Sequence, residues 1–424
     1  MDEGEAVAPL PGLNRSDLRL GLAIALAAGL AIYLACLWLG QDLARLSIGG
    51  RWFNSDGWRV YDDMVDFDAN HHRNRVRPWF SILAMPPVFI FRKMLLNASP
   101  LEGIWLTNAA CAALWTFLLF LGFRAVGIGR FAGIACCALA IGSAGSLFWF
   151  TVPETYALSA IGLALGILIA GIGTYRSVPA VCVVLAGAFA FGTLVTNWMA
   201  NLAYLAVFER WRRAAVIACA SLLVAFAGWA VQKVVFPMPA ALFGKGIEKE
   251  GAYTLHEEQG GPLRALHSAV LTSGVAPTVA IGDSSKETTG GRLTVQRSSA
   301  LAGPPLALAA AVGWLGLLVA GVIALAKSGV DRRFRVFLAL LACGQLGLHS
   351  IYGEETFLYS LHFATVLVCI VAVACARWRS PKVAGVVLAV ALLVAASNVI
   401  RLREAAASPF MGNDARLQRL IDAP

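Results

Sequence analysis

Long apolar runs alternate with short polar turns along nearly the whole chain. The runs at 18–39, 102–123, 131–150, 155–173, 179–195, 198–208, 214–236, 304–326, 334–352, 356–376 and 383–401 predict about eleven membrane segments, because roughly 18 or more apolar residues are needed to cross a bilayer as a helix. The run at 198–208 is too short to cross alone and reads as a half-helix paired with 179–195. The stretch WFSILAMPPVFIFRKMLL (79–96) is apolar but carries a Pro-Pro pair, and reads as re-entrant or interfacial. The class is therefore an all-α integral membrane protein, since a lipid-facing backbone must satisfy its hydrogen bonds within each helix.

The turns set a direction. GFRAVGIGR (122–130), TYRSVP (174–179), FERWRR (208–213), KSGVDRRFR (327–335) and RWRSPK (377–382) are basic. With these spans all five fall on the side of the N-terminus, which the positive-inside rule makes cytoplasmic. The opposite side receives loop 40–78, the turn at Glu154, the turn at 196–198, loop 237–303 and the turn at 353–355. A rival topology, with 79–96 as a full span and 179–206 as one helix, puts Glu154 in the cytoplasm and GFRAVGIGR outside, against that rule. The organisation is a tail over 1–17, a membrane module over 18–236 that includes outer loop 40–78, a large outer loop over 237–303, C-terminal helices over 304–401 and a tail over 402–424.

Composition sharpens the class. Of 424 residues, 58% are hydrophobic and 14% charged, whereas a soluble domain is nearer half apolar and a quarter charged. The net charge of +9 is explained by the basic turns, so no nucleic-acid partner is expected. All nine cysteines lie in apolar segments without a CxxC, which argues against a disulfide framework or a zinc site. The N-terminus lacks a signal-cleavage pattern, and its first apolar run is long enough to remain a span. There are no internal repeats.

Candidate chemistry sits in the outer turns. Loop 40–78 carries Asp56, Asp62, Asp63, Asp66 and Asp68, followed by His71, His72, Arg73, Arg75 and Arg77. Carboxylates can take a proton from a hydroxyl nucleophile, and arginines hold phosphate through forked, charge-assisted bonds. Asp56 opens the acidic cluster beside Gly57, although Asn54-Ser55-Asp56-Gly57 also suits a plain turn. In FWFTVPETYALSA (148–160), Glu154 stands between apolar runs with Tyr156 beside it. Thr151-Val-Pro-Glu154 fits a capping box, and a carboxylate at membrane depth also suits a polar cavity. Thr196-Asn197-Trp198 interrupts another run. LHSIYGEETFLYSLHF (348–363) gathers His349, Glu354, Glu355, Tyr359 and His362; the two histidines read as satisfied core residues. In the large loop, Lys245, Lys249, Tyr253, Arg264 and His267 are candidate contacts, and PLRALHSAVLTSGV (262–275) reads as an interfacial amphipathic helix.

These motifs in this order resemble the GT-C superfamily of polytopic glycosyltransferases, which includes the protein O-mannosyltransferases and the catalytic subunit of oligosaccharyltransferase. The likeness rests on a first span, an acidic outer loop with an early Asp, Arg77-Pro78 before an apolar segment, FWFTVPETYALSA, and Gly192 to Asn197 at a helix break. It covers roughly 18–240 and, more loosely, 348–363. It implies a GT-C-like bundle with two large outer loops that transfers a sugar, with inversion, from a polyprenyl-phosphate donor to a glycan, lipid or protein hydroxyl. By that likeness Asp56 is the base and Glu154 the acid of the second outer turn. Arg75 and Arg77 hold the lipid phosphate, with His71 or His72 in place of the family's His-Pro. Asp62, Asp63, Tyr156, Asn197, Glu354, Glu355 and Tyr359 are further substrate contacts. No cofactor or metal is expected, and Asp62-Asp63 does not by itself indicate a divalent ion. In a bacterium the site would face the periplasm from the inner membrane. The rival readings are a transporter or flippase of a lipid-linked glycan, which more often shows repeats, and a non-catalytic assembly protein.

Overall fold

A computed structural model describes residues 13–94, 98–238, 254, 260–282, 291–327, 329–353 and 355–408. Helix α1 (Arg15–Ile48) starts where Asn14 and Asp17 form a reciprocal capping box, and it ends at Gly49. At 1.5 Å per residue it is about 50 Å long, well over the roughly 30 Å hydrocarbon core of a bilayer. Loop 40–78 therefore begins later than the apolar run implies, because α1 continues to Ile48. Leu18, Leu22, Leu26, Leu30 and Leu34 form an exposed stripe along it, which suits lipid and not water.

Helix α2 (Gly57–Val65), a 3₁₀ turn (His72–Arg75) and α3 (Phe80–Met94) follow. Helix α3 runs through Pro86 and Pro87. Helix α4 (Pro100–Ala125) opens on a Ser99–Glu102 capping box and returns against α1. Glycines set this approach: a Cβ on Gly29 would meet the Ala109 carbonyl at 2.9 Å, and one on Gly40 the Trp105 ring at 2.4 Å.

Next come α5 (Arg130–Gly142), α6 (Ala144–Phe150), α7 (Tyr156–Gly173), α8 (Ala180–Thr193), α9 (Trp198–Phe208) and α10 (Trp211–Val235). The large loop contributes α11 (Gly261–His267), a wide turn at Ser268–Thr272, and an antiparallel pair of β1 (Ala280–Gly282) with β2 (Arg292–Thr294), in which Ala280 faces Thr294. Four helices complete the bundle: α12 (Pro305–Lys327), α13 (Arg332–Ile351), α14 (Ser360–Trp378) and α15 (Pro381–Ala406).

Among the described residues, eight helices are long and apolar enough to cross a membrane, or nine if α5 and α6 count as one span. This lowers the expected eleven. The run at 131–150 is broken by a 57° bend, where Ser143 caps α6. Helices α8 and α9 are each too short to cross. The C-terminal tail also starts later than 402, since α15 continues to Ala406.

The basic turns gather at the end where α1 begins. Buried Asp17 pairs with Arg124 and Arg130 there, and Arg333 donates to the Thr174 carbonyl at 2.8 Å with its guanidinium 5.3 Å from the Phe208 ring centroid. The other end, here the loop end, carries residues 49–79, 151–155, 194–197, 352–353 and 355–359. The segment read as an interfacial helix is instead packed into this end. Trp314 donates to the Val270 carbonyl and Asn398 to that of Gly274, both at 2.8 Å.

Candidate active site

Two helix breaks meet at the loop end and build the site. The first separates α6 from α7. Its carbonyls are not orphaned: Asn108 donates to Val152 O at 2.8 Å, and the Cys36 thiol lies 3.9 Å from Thr151 O. The expected Thr151–Glu154 capping box is not what forms. Thr151 ends α6, its hydroxyl bonding back to Leu147 O. Glu154 caps its neighbour, accepting from the Thr155 amide at 2.8 Å and the Thr155 hydroxyl at 2.9 Å. A carboxylate here meets the exposed amides and positive dipole end of α7. Glu154 is 3% exposed, so its charge is shielded from water.

The second break separates α8 from α9 by an extended Leu194 and a 3₁₀ turn at Val195–Asn197. It grips the segment that leads into α3. The Val195 amide donates to Val76 O at 3.1 Å and the Trp79 amide to Gly192 O at 2.7 Å. Trp79 lies over Gly192 and Gly228, where an added Cβ would meet the indole at 2.4 and 2.2 Å, and its Nε1 donates to Ala225 O at 2.8 Å. Arg77 is thereby held against the first break. Its guanidinium lies 4.9 Å from the Tyr156 ring centroid.

Arg73 completes the cation pair. Its guanidinium forms an ion pair with Asp56, which also contacts Arg59 at 3.3 Å. Burial first and Arg77 second lower the Arg73 pKa, while Glu154, Tyr156 and Tyr359 act in the opposite direction. The Nε atoms of Arg73 and Arg77 are buried without a hydrogen-bond partner. The Asp56 side chain is 34% exposed and that of Arg73 14%, so this corner is where the patch opens to solvent. Tyr156 lies edge-on to Tyr359 and His362, with centroids 5.8 and 5.3 Å apart. His362 Nε2 is 2.9 Å from the Ser159 hydroxyl, and Asn197 donates to Ser159 O at 2.9 Å. Tyr359 stacks on His349 at 3.9 Å. No protein-family model matches the chain, and no curated protein matches it.

The structure thus brings together Asp56, Arg77, Glu154, Tyr156 and Tyr359, with Asn197 joined to them through Ser159 and His362. It does not bring together the other expected residues in the same way. Asp63 is buried and holds the 3₁₀ turn, accepting from the Arg73 amide at 3.1 Å; burial raises its pKa to about 7. His71 is also a framework residue. It adopts a left-handed backbone (φ 44°), its ring nitrogens lie 2.8 Å from Ser81 Oγ and 3.1 Å from Phe67 O, and burial lowers its pKa. Asp62 and His72 flank this framework. Arg75 has no hydrogen bond, ion pair or ring contact among the described residues; the guanidinium paired with Asp56 beside Arg77 is that of Arg73. On a 3₁₀ turn of three residues per rotation, Arg73 and Arg75 point differently, which a linear reading of 71–77 does not resolve. Glu355 turns away to the large loop, accepting from the Thr294 hydroxyl, and burial raises its pKa to about 7. Glu354, Lys245, Lys249 and Tyr253 lie outside the described residues. Arg264 serves the loop itself, donating to Gln296 O and Ser298 O at 2.6 and 2.8 Å. Gly57 is small because α1 is close: a Cβ there would meet the Ser47 carbonyl oxygen at 2.5 Å. Among the described residues no group of three or more His, Cys, Asp or Glu side chains could hold a metal ion.

Proposed function

We propose that the protein is a GT-C-type inverting glycosyltransferase, moving a sugar from a polyprenyl-phosphate donor to a hydroxyl on a glycan, lipid or protein at the extracytoplasmic face. In a bacterium that face is the periplasmic side of the inner membrane. The observation that carries this reading is the ion pair of Asp56 with Arg73 beside Arg77, within the patch that contains Glu154 and Tyr156. A partly exposed carboxylate next to two shielded guanidiniums is the inventory that displacement of a phosphate requires. The acceptor oxygen attacks the anomeric carbon from the face opposite the phosphate, and the bond from that carbon to the phosphate oxygen breaks. Asp56 takes the hydroxyl proton. The leaving phosphate keeps the electron pair and sits on Arg73 and Arg77. Arg73 is engaged by Asp56; an arriving phosphate competes for it and frees the carboxylate for the acceptor. Glu154 orders the patch from the other side, facing Arg73 and a sugar hydroxyl.

The test is sugar transfer in detergent with a polyprenyl-phosphate sugar. Asp56→Asn is expected to retain donor binding and lose about 100-fold or more in kcat, the low end of what a positioned base contributes. Arg77→Ala is expected to raise KM by about tenfold or more, as loss of a charge-assisted contact does. Wild-type turnover by the Asn variant would remove Asp56 from the chemistry. Buried His362, Asn197 and Gln345 within helical segments favour the second reading, a transporter of a lipid-linked glycan. That reading gains if vesicles translocate the glycan while no glycosidic bond forms in detergent.

A further inference from the structure

A groove of about 460 Å³ opens between α2, α3 and the end of α10. Met64 and Phe67 line one side, Met85 and Phe89 of α3 the other, and Phe236 closes one end; among the described residues Arg92 is the only charged one in the lining. Neither Arg73 nor Arg77 lines it. At that end the Phe236 ring packs on the framework residue His71, with centroids 4.0 Å apart.

Its charge is one-ended. Arg92 is half-buried, and Nε reaches the Ala98 carbonyl at 3.5 Å. The next residue, Lys93, holds its ammonium 4.5 Å from the Phe89 ring centroid. Neither cation has an acidic partner among the described residues. The other end, at Val235 and Phe236, is apolar, and Phe89, Ile90 and Met94 around the two cations are more than half exposed. Arg92 also lies at the loop end of the bundle. Gly103, near the start of α4 at the loop end, packs against Val88 and the Arg92 stem. From Ile82 to Arg92 the wall is about 15 Å long at 1.5 Å per residue. That length suits an ordinary acyl chain; a polyprenyl chain is far longer.

We infer that this groove is a binding site for one anionic glycerophospholipid of the surrounding membrane, with its phosphate on Arg92 and Lys93 and one acyl chain running along Met85 toward Phe236. The site is independent of the transfer reaction and stands whether or not that reading does. Guanidinium and ammonium groups at the headgroup level attract phosphate, and the lining offers its chain an apolar wall on each side.

The experiment is native mass spectrometry of the full chain, purified in detergent and offered phosphatidylglycerol and phosphatidylcholine with identical acyl chains. One phosphatidylglycerol is expected to be retained over phosphatidylcholine by about tenfold, the order set by two surface cations on one phosphate. Arg92→Gln with Lys93→Gln is expected to abolish the preference, and Met85→Trp to lower retention of both lipids by filling the groove. Circular dichroism and gel filtration check that each variant is folded; should Met85→Trp misfold, the Gln pair decides alone. Equal retention of the two lipids, or an unchanged preference in the Gln pair, overturns the proposal. So does displacement of phosphatidylglycerol by equimolar polyprenyl phosphate, which would make the groove the path of the donor chain. Competition by glycerol 3-phosphate at the same concentration also overturns it, leaving a phosphate site without a chain.

Discussion

At the scale of the residue, two carboxylates with opposite duties are separated by what touches them. Glu154 has its Oε1 committed to Thr155. A glutamine retains that acceptor but loses the charge facing Arg73. Glu154→Gln is therefore expected to melt within a few degrees of wild type while transfer falls at least about tenfold, as loss of an electrostatic contact in a shielded site does. Thr155→Ala is expected to cost about 1 kcal/mol of stability with transfer largely retained. A Gln variant with full activity and a normal melt would leave Glu154 a helix cap only. Asp63 behaves differently, because burial raises its pKa from the usual 3.8 to about 7. Below pH 4 the carboxyl is neutral whether the chain is folded or not. Between about pH 4 and 7 the unfolded chain releases the proton that the folded chain keeps, so stability drops as pH rises through this window. Glu355 acts with the same sign. Asp63→Asn stays neutral and can still accept from the Arg73 amide. Its melting temperature relative to wild type is expected to improve from pH 4.5 to pH 8, measured by thermal unfolding; a constant difference would refute the assignment.

At the scale of the element, the sequence shows some features and hides others for physical reasons. Broken helices α8 and α9 were visible because Thr196-Asn197 is polar inside an apolar run, and the fold class followed from the number of such runs. The break at Ser143 was hidden, because Ala, Gly and Ser leave the hydropathy window apolar while the chain turns by 57°. The 3₁₀ turn is hidden too, and with it the pairing of Arg73 with Asp56. The role of glycine emerges only in three dimensions. Gly192 and Gly228 lie on different helices yet receive one indole, and that indole fixes the segment carrying Arg77. Gly228→Ala is expected to displace Trp79 and to cost about 1–3 kcal/mol, the range for overpacking a filled site. It should also raise the KM for donor, although residue 228 is distant in sequence from every group assigned to the chemistry. Unchanged tryptophan fluorescence and an unchanged melt would show that Trp79 has room to move.

At the scale of the whole molecule, the large loop is a strap joining two parts of the site that the chain makes far apart. Leu293 donates to Arg51 O at 2.8 Å and Arg292 to Asn54 at 2.6 Å, next to Asp56. Gln296 reaches the other side, where its Oε1 accepts from the Thr356 amide at 2.9 Å and its Nε2 donates to the Thr356 hydroxyl at 3.2 Å, on the turn that carries Tyr359. Between them Thr294 bonds Glu355. The sequence marked this loop as long and polar but could not show that it is a strap, since each bond joins residues that are local in space and remote in the chain. The strap sets the distance between the Asp56 corner and the Tyr359 corner while contributing no group to the proposed chemistry. Gln296→Ala removes two buried hydrogen bonds and leaves the Thr356 amide unpaired, a loss of about 1–3 kcal/mol. Because the helices do not depend on residue 296, that loss is expected as local opening of the loop. Limited proteolysis within 260–303 should accelerate while the global melt barely changes, and KM should rise with kcat nearly retained when substrate is saturating. Uniform destabilisation of the bundle, with cleavage no faster in the loop than elsewhere, would show instead that the loop folds as part of the core.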